Sequence, residues 1–275
     1  MLSSLRALWA IPTTIAWHVI RGIWRLLRPL VPHRLRLLLL SDEAEAKAEA
    51  HAKRKTVATE LLLVRHGQSM HNISSVAQYG DSGADATLFD APLSSLGEQQ
   101  VAALAGHAEL ATAELLIASP LTRAVHTLLG AFPSAPAACP PVEFWPLAAE
   151  HLTDSCDIGS GASALAARFP ALAKHARALP EVWWYTDDET SKSDAADSRT
   201  RYRESGFMEP ESVLNARVDA LVQAVQARPE RVIALFGHSD FFNFLMERHC
   251  GVSDYWLENA EVYRVILPPP EGAAA

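Results

Sequence analysis

The chain has 275 residues, of which 49% are hydrophobic, and its 24 basic and 32 acidic side chains leave a net charge of −8. That is enough apolar material for one sizeable core, and the length calls for no second domain. Beyond residue 41 the balance is 18 bases against 32 acids, or −14, which excludes the basic surface that non-specific nucleic-acid binding depends on.

Residues 1–41 contain six arginines (Arg6, Arg21, Arg25, Arg28, Arg34 and Arg36) and no acid. Ala7 to Ile20 is mainly apolar, yet shorter than the roughly 20 residues a helix needs to span a bilayer. Arg21, Arg25 and Arg28 then share one helical face, with Ile23, Trp24, Leu27 and Leu30 over the other side. Three readings stay open for this hydrophobic, basic segment. It lies on an anionic membrane surface, it is a signal peptide, signal anchor or organelle presequence, or it is an extra helix packed on the domain. Intracellular, membrane-associated and organelle-targeted locations all fit. Residues 42–58, rich in Ala, Glu and Lys, read as an exposed helix or charged linker.

From residue 59 onward strands and helices alternate. The patterns predict a strand at 60–65, a loop to 93, a helix at 95–109, a strand at 113–118 and a helix at 120–130. A strand at 142–147, helices at 163–178 and 210–227, a strand at 231–236, a helix at 239–250 and a last strand near 260–267 follow, with 268–275 as a flexible tail. This alternation is that of a layered α/β domain spanning 59–267.

Four segments stand out along it. The apolar run Leu61 to Val64 ends in Arg65-His66-Gly67, which puts an imidazole beside a fixed cation at a strand end, where α/β sheets place ligands. Taken alone, the tripeptide also fits an ordinary turn. Leu93 to Gln100 opens an amphipathic helix, Leu115 to Ala124 is a second apolar strand running into a helix that carries Arg123, and Arg231 to Phe236 is a third strand ending in Gly237-His238-Ser239.

These segments, in this order and at these strand ends, resemble the histidine phosphatase superfamily, the group that includes the cofactor-dependent phosphoglycerate mutases. The resemblance covers residues 59–267 and implies a three-layer α/β/α sandwich with a mostly parallel central sheet. It also implies a phosphohistidine intermediate, with no metal and no other cofactor.

The residue types suit that chemistry. A phosphoryl group in transfer spreads negative charge over its equatorial oxygens, so most of the work is positioning and electrostatic stabilisation. Arg65 and Arg123 offer guanidinium forks that match phosphate oxygens and stay charged. His238 adds a donor, and the amide of Ser239 at a helix start adds a partial positive dipole. His66, the expected nucleophile, must be neutral on one nitrogen, and neighbouring positive charge favours that state.

One carboxyl group can protonate the leaving alkoxide and then activate water. By resemblance it follows a strand between Arg123 and His238, which matches Glu150 after Pro141 to Leu147. Asp154 and Asp157 are substitutes for it, although as helix caps near Ser163 they have a simpler role. Asn72 is expected either to contact phosphate, as a polar group does in relatives, or to make a turn. Ser94 and Gly97 read as helix-start residues, and His71 and His151 as surface or hydrogen-bonded structural residues.

Two loops are expected to set the substrate. Residues 73–91 hold Gly80, Gly83 and several Asp, and residues 181–209 hold Trp183, Trp184 and Tyr185 followed by Arg199, Arg201 and Arg203. The aromatics fit either a lid over an organic phosphate or the edge of the core. The arginines read as a solvated strand or loop. Cys139, Cys156 and Cys250 lack metal-ligand spacing and are odd in number, which fits reduced thiols in a non-secretory compartment.

The reading is a phosphomonoester hydrolase acting on a small phosphorylated substrate. Phosphoglycerate mutase-type phosphotransfer is an alternative, weakened because mutases follow the acid with an Arg-His-Tyr-Gly type run where this chain has Glu150-His151-Leu152-Thr153. A membrane-tethered phosphate-binding protein without turnover is a third. Sequence leaves the ester and the oligomeric state open.

Overall fold

The computed structural model describes residues 58–73, 88–188, 190 and 194–269. The basic segment 1–41, all but the last residue of the 42–58 stretch, most of the 73–91 loop and most of the 268–275 tail lie outside the described residues. Among the described residues no helix is long and apolar enough to cross a membrane.

Five strands form one sheet: β1 (Thr59–Arg65), β2 (Leu115–Ala118), β3 (Val142–Phe144), β4 (Val232–Gly237) and β5 (Val262–Leu267), in the spatial order β3-β2-β4-β1-β5. Parallel ladders join β3 to β2, β2 to β4 and β4 to β1, and only β5 runs antiparallel, along the outer edge of β1. Parallel strands need both faces covered, and their sequences are correspondingly apolar without alternation.

Successive side chains of these strands point to opposite cores. Leu62, Val64, Leu116, Ala118, Ala234 and Phe236 enter one, and Leu61, Leu63, Leu115, Ile117, Ile233 and Leu235 enter the other. The first core is closed by α2 (Thr122–Ala131), α3 (Ala162–Arg168) and α4 (Ala173–Ala176), with α1 (Ser95–Ala102) packed against α2. The second is closed by α6 (Glu211–Gln226) through Leu214, Val218, Leu221 and Val225, and by α7 (Ser239–Cys250) through Phe241, Phe242, Leu245 and Met246. The result is the three-layer α/β/α arrangement with a mostly parallel sheet.

Several elements differ from the sequence pattern. The helix expected at 95–109 stops at Ala102, where tight turns lead to Gly106 at φ 78°, a backbone conformation that favours glycine. The strand expected to reach 147 stops at Phe144, because Pro146 has no N–H for the ladder and opens a 3₁₀ turn, Pro146–Ala148. The helix expected at 163–178 is broken by Pro170 into α3, a 3₁₀ turn and α4.

The stretch 181–209 contains an unforeseen helix, α5 (Ala195–Ser205), capped by the Asp194 carboxylate on the Ala196 N–H and ended by Gly206 in the left-handed region. It carries Arg199, Arg201 and Arg203, which corrects the expectation of a solvated strand or loop there. Arg199 donates to the Gly159 carbonyl and lies over the Phe89 ring, Arg203 lies over the same ring, and Arg201 pairs with Asp187.

Candidate active site

The carboxyl ends of β1, β2 and β4 converge, as the parallel register requires. Arg65 pairs with Gly237 across β1 and β4, so the residues that follow, His66 and His238, leave the sheet side by side. Their rings lie 5.2 Å apart between centroids. Both are buried.

His66 is oriented by its own turn. Its Nδ1 lies 2.7 Å from the Gly67 carbonyl, which can only accept, so Nδ1 carries the proton and Nε2 holds the lone pair. Burial first, and then the Arg123 charge, hold the imidazole pKa well below its usual 6.5. The ring is therefore neutral throughout the physiological range.

The backbone around it is fixed from three sides. The Gly67 N–H donates to Thr127 Oγ1, which itself donates to the Arg123 carbonyl, the His66 N–H donates to Gly237 O, and Asn259 Nδ2 donates to the His66 carbonyl. Gly67 is required by proximity, since a Cβ there would meet the Gly97 carbonyl and Val101 at 2.8 Å. Ser94 caps α1 by accepting from the Gly97 N–H and donates to Gln68 Oε1, so the helix start is tied to the loop that carries the imidazole.

His238, the N-cap of α7, is buried with Nε2 2.8 Å from Ser119 Oγ. Ser119 Oγ also accepts the Leu121 N–H. Burial and the Arg123 charge keep this imidazole neutral as well. Its Nδ1 is buried without a hydrogen-bond partner, and so is Arg65 Nε.

The two guanidiniums are held differently. Arg65 Nη1 donates to the Leu257 carbonyl at 2.6 Å. Arg123, the second residue of α2, is almost fully buried; its Nη1 donates to the Cys156 carbonyl at 2.7 Å and its Nη2 to Asp157 Oδ1 at 2.8 Å. Asp157 also accepts the Thr153 and Asp154 amides. Together with Asp154 it forms a reciprocal capping box on the 3₁₀ turn Ser155–Asp157. The expected capping role is thus real but belongs to this turn. The helix near Ser163 starts at Gly161 with no side-chain cap.

Glu150 follows the 3₁₀ turn after β3. Its Oε1 accepts the His151 and Phe241 amides at 2.9 and 2.8 Å, the latter from the first turn of α7. Removal from water and then repulsion from Asp157 raise its pKa from 4.5 to about 7, against the pull of Arg123. Among the described residues Oε2 makes no hydrogen bond.

The loop behind Glu150 is locked. Arg217 of α6 donates to the Leu147, Ala149 and Glu150 carbonyls and forks onto both oxygens of the buried Glu209. His151 places Nδ1 on Asp240 at 2.8 Å and Nε2 on the Glu209 carbonyl at 2.9 Å, two acceptors that call for a proton on each nitrogen. Burial opposes that charge, but the Glu209 carbonyl and Asp240 prevail and raise the pKa.

Of the expected site residues, His66, Arg65, Arg123, His238 and Glu150 thus form one electrostatic neighbourhood, with Ser239 as the first residue of α7 beside it. Asn72 Oδ1 accepts the Ser69 amide and hydroxyl, the turn-making arrangement. Trp183 and Trp184 are both buried in the core, donating to Ser160 O and Ser198 Oγ.

Sequence reasoning passed over Ser119, Asp157 as the partner of Arg123, and Arg217. A serine directly after an apolar strand was a usable signal for Ser119. Nothing local marks the other two, whose partners lie 34 residues away for Asp157 and about 70 for the carbonyls Arg217 holds.

A sequence model of the histidine phosphatase superfamily (branch 1) matches residues 61–267. A phosphoglycerate mutase-like protein of Arabidopsis thaliana is 39% identical over 74 residues, a stretch that makes up 26% of this chain and 27% of that protein. The chain therefore matches about a quarter of that relative's length. Among solved structures, a phosphoglycerate mutase from Bacillus anthracis str. Sterne superposes with a TM-score of 0.49 at 15% identity, covering 79% of this chain and 91% of that one. A mycobacterial glucosyl-3-phosphoglycerate phosphatase superposes with a TM-score of 0.45 at 21% identity, covering 75% and 90%.

Proposed function

The chain belongs to the histidine phosphatase superfamily, branch 1, and on that premise we propose that it is a phosphomonoester hydrolase working through a phosphohistidine on His66. The observation that carries the reading is the buried, neutral His66 with Nδ1 tied to Gly67 O and its other nitrogen unpartnered beside two guanidiniums. An imidazole in that state is a nucleophile whose target is anionic.

In the first step Nε2 attacks phosphorus, the bond from phosphorus to the ester oxygen breaks, and the leaving alkoxide takes the proton held by Glu150. Arg65 and Arg123 neutralise, and His238 and the Ser239 amide help to stabilise, the charge on the transferred group. In the second step Glu150, now ionised, takes a proton from water as its oxygen attacks the phosphohistidine. The N–P bond breaks, inorganic phosphate leaves, and Glu150 is again protonated. A carboxyl with a pKa of about 7 serves both steps near neutrality.

Hydrolysis is favoured over phosphate migration by the residue after the acid. His151 is held by Asp240 and Glu209 and turned into the protein rather than toward a substrate. The test is release of inorganic phosphate by the full chain from a panel of phosphomonoesters including 3-phosphoglycerate, with chelator present. Release that His66→Ala abolishes supports the reading, and release that survives this substitution, or isomerisation of 3-phosphoglycerate without hydrolysis, overturns it.

A further inference from the structure

Glu150 Oε1 is held between two amide donors, one from the next residue, His151, and one from Phe241 in the first turn of α7. The His151 ring closes a circuit between them. Its Nδ1 lies 2.8 Å from Oδ2 of Asp240, the residue before Phe241, and its Nε2 lies 2.9 Å from the Glu209 carbonyl. Glu209 is in turn zipped to the acid's loop, its N–H donating to the Leu152 carbonyl and its carboxylate accepting from Arg217. Phe244, one turn further along α7, meets the His151 ring edge to face at 5.8 Å. The start of α7 therefore carries both the donors proposed for phosphate, His238 and Ser239, and the supports of the acid, Asp240 and Phe241.

An acid in the first turn of a helix often does no more than complement the helix dipole. Here it is bridged, across 89 residues of sequence, to the residue next to the proposed acid. We propose that His151 and Asp240 are positioning residues for Glu150: their ion pair fixes the acid against the start of α7, where the phosphate is held. The inference rests on the reading of Glu150 as the acid. Two acceptors call for an imidazolium, and with 10% and 29% of the two side chains exposed, water screens the pair little. The charged groups facing the pair are Glu209, itself neutralised by Arg217, and Glu150, which also faces Asp157, Arg123 and Arg65. Within this set the Asp240 charge opposes ionisation of Glu150, so the carboxylate that anchors the imidazole also helps to keep the acid protonated.

The test uses the full chain and two esters: benzyl phosphate, whose alkoxide needs a proton to leave, and 4-nitrophenyl phosphate, whose phenolate does not. His151→Phe keeps a ring against Phe244 and removes both hydrogen bonds. It is expected to lower kcat/KM for benzyl phosphate by about 10-fold or more, and for 4-nitrophenyl phosphate by less than about twofold. Asp240→Asn keeps an acceptor for Nδ1 without the charge. It is expected to retain most of the benzyl phosphate rate on the acid side, while the alkaline fall in that rate moves about 0.5 pH unit lower. A loss shared equally by both esters in His151→Phe, or an alkaline fall that stays put or rises in Asp240→Asn, overturns the pair and leaves the hydrolase reading standing. Where His151→Phe fails to fold, Asp240→Asn decides alone. Absence of His66-dependent turnover overturns the hydrolase reading instead. The Glu150 carboxyl is then titrated by carbon-detected NMR, and the pair stands if Asp240→Asn lowers its midpoint and falls if it does not.

Discussion

At the scale of single residues, the site works by holding protons in unusual places. His66 is kept neutral by burial and by Arg123, so on the proposed mechanism it needs no deprotonation to attack, whereas Glu150 is held half-protonated near neutrality by burial and Asp157. For the proposed first half-reaction the required form is neutral His66 with protonated Glu150. Since the acid form of Glu150 is lost as pH rises through about 7, kcat/KM for an alkyl phosphate is expected to fall about tenfold per pH unit on the alkaline side. The limb set by His66 is expected on the acid side, below the usual imidazole range. Glu150→Gln is expected to lower kcat/KM by about 10²–10⁴-fold and to erase the alkaline limb. A pH–rate profile that keeps its limb in the variant would assign it to another group. The loss is expected to be much smaller for 4-nitrophenyl phosphate, whose leaving oxygen needs no proton.

At the scale of elements, α6 carries the clamp that sets where Glu150 stands. The Arg217 guanidinium joins the 147–150 loop to Glu209, a carboxylate almost wholly out of water. Removing one member of a buried pair leaves the other uncompensated, which costs about 3–5 kcal/mol. Arg217→Met is expected to lower the urea midpoint accordingly and to reduce kcat more than it raises KM. Arg217→Lys recovers little, because one ammonium cannot serve three carbonyls and a fork. Such cross-element ties are also what the sequence conceals. The strand ends carrying Arg65, His66 and His238 were legible because unbroken apolar runs announce buried parallel strands. The pairing of Arg123 with Asp157 was not, because no periodicity relates a helix start to a 3₁₀ turn. Helix α5 was invisible for a similar reason: it is polar nearly all round and is held by Trp184 on Ser198 and by Arg199 on Gly159 O rather than by an apolar stripe.

At the scale of the whole molecule, every residue assigned to the chemistry lies between Arg65 and Ser239, within a unit that spans Lys55–Ala275. A chain made from Lys55 onward is expected to unfold in one cooperative transition and to keep kcat/KM within about twofold of the full chain, apolar burial in the two cores being its own source of stability. Thermal melts and phosphate release on the two proteins check this. The order of the strands has a further consequence during synthesis. The strand that leads to His66 lies between β4 and β5, its two partners, yet β4 begins at residue 232 and β1 ends at residue 65. At about 5–20 residues per second, the Leu61-Leu62-Leu63-Val64 run leaves the ribosome and waits on the order of 10–30 s for a neighbour. During that wait it is an unpaired apolar edge, the kind of segment that associates with copies of itself. Yield in cells should therefore depend on holdase chaperones acting on the nascent chain, and slower elongation between β1 and β4 should lower the soluble fraction even though the finished protein is unchanged.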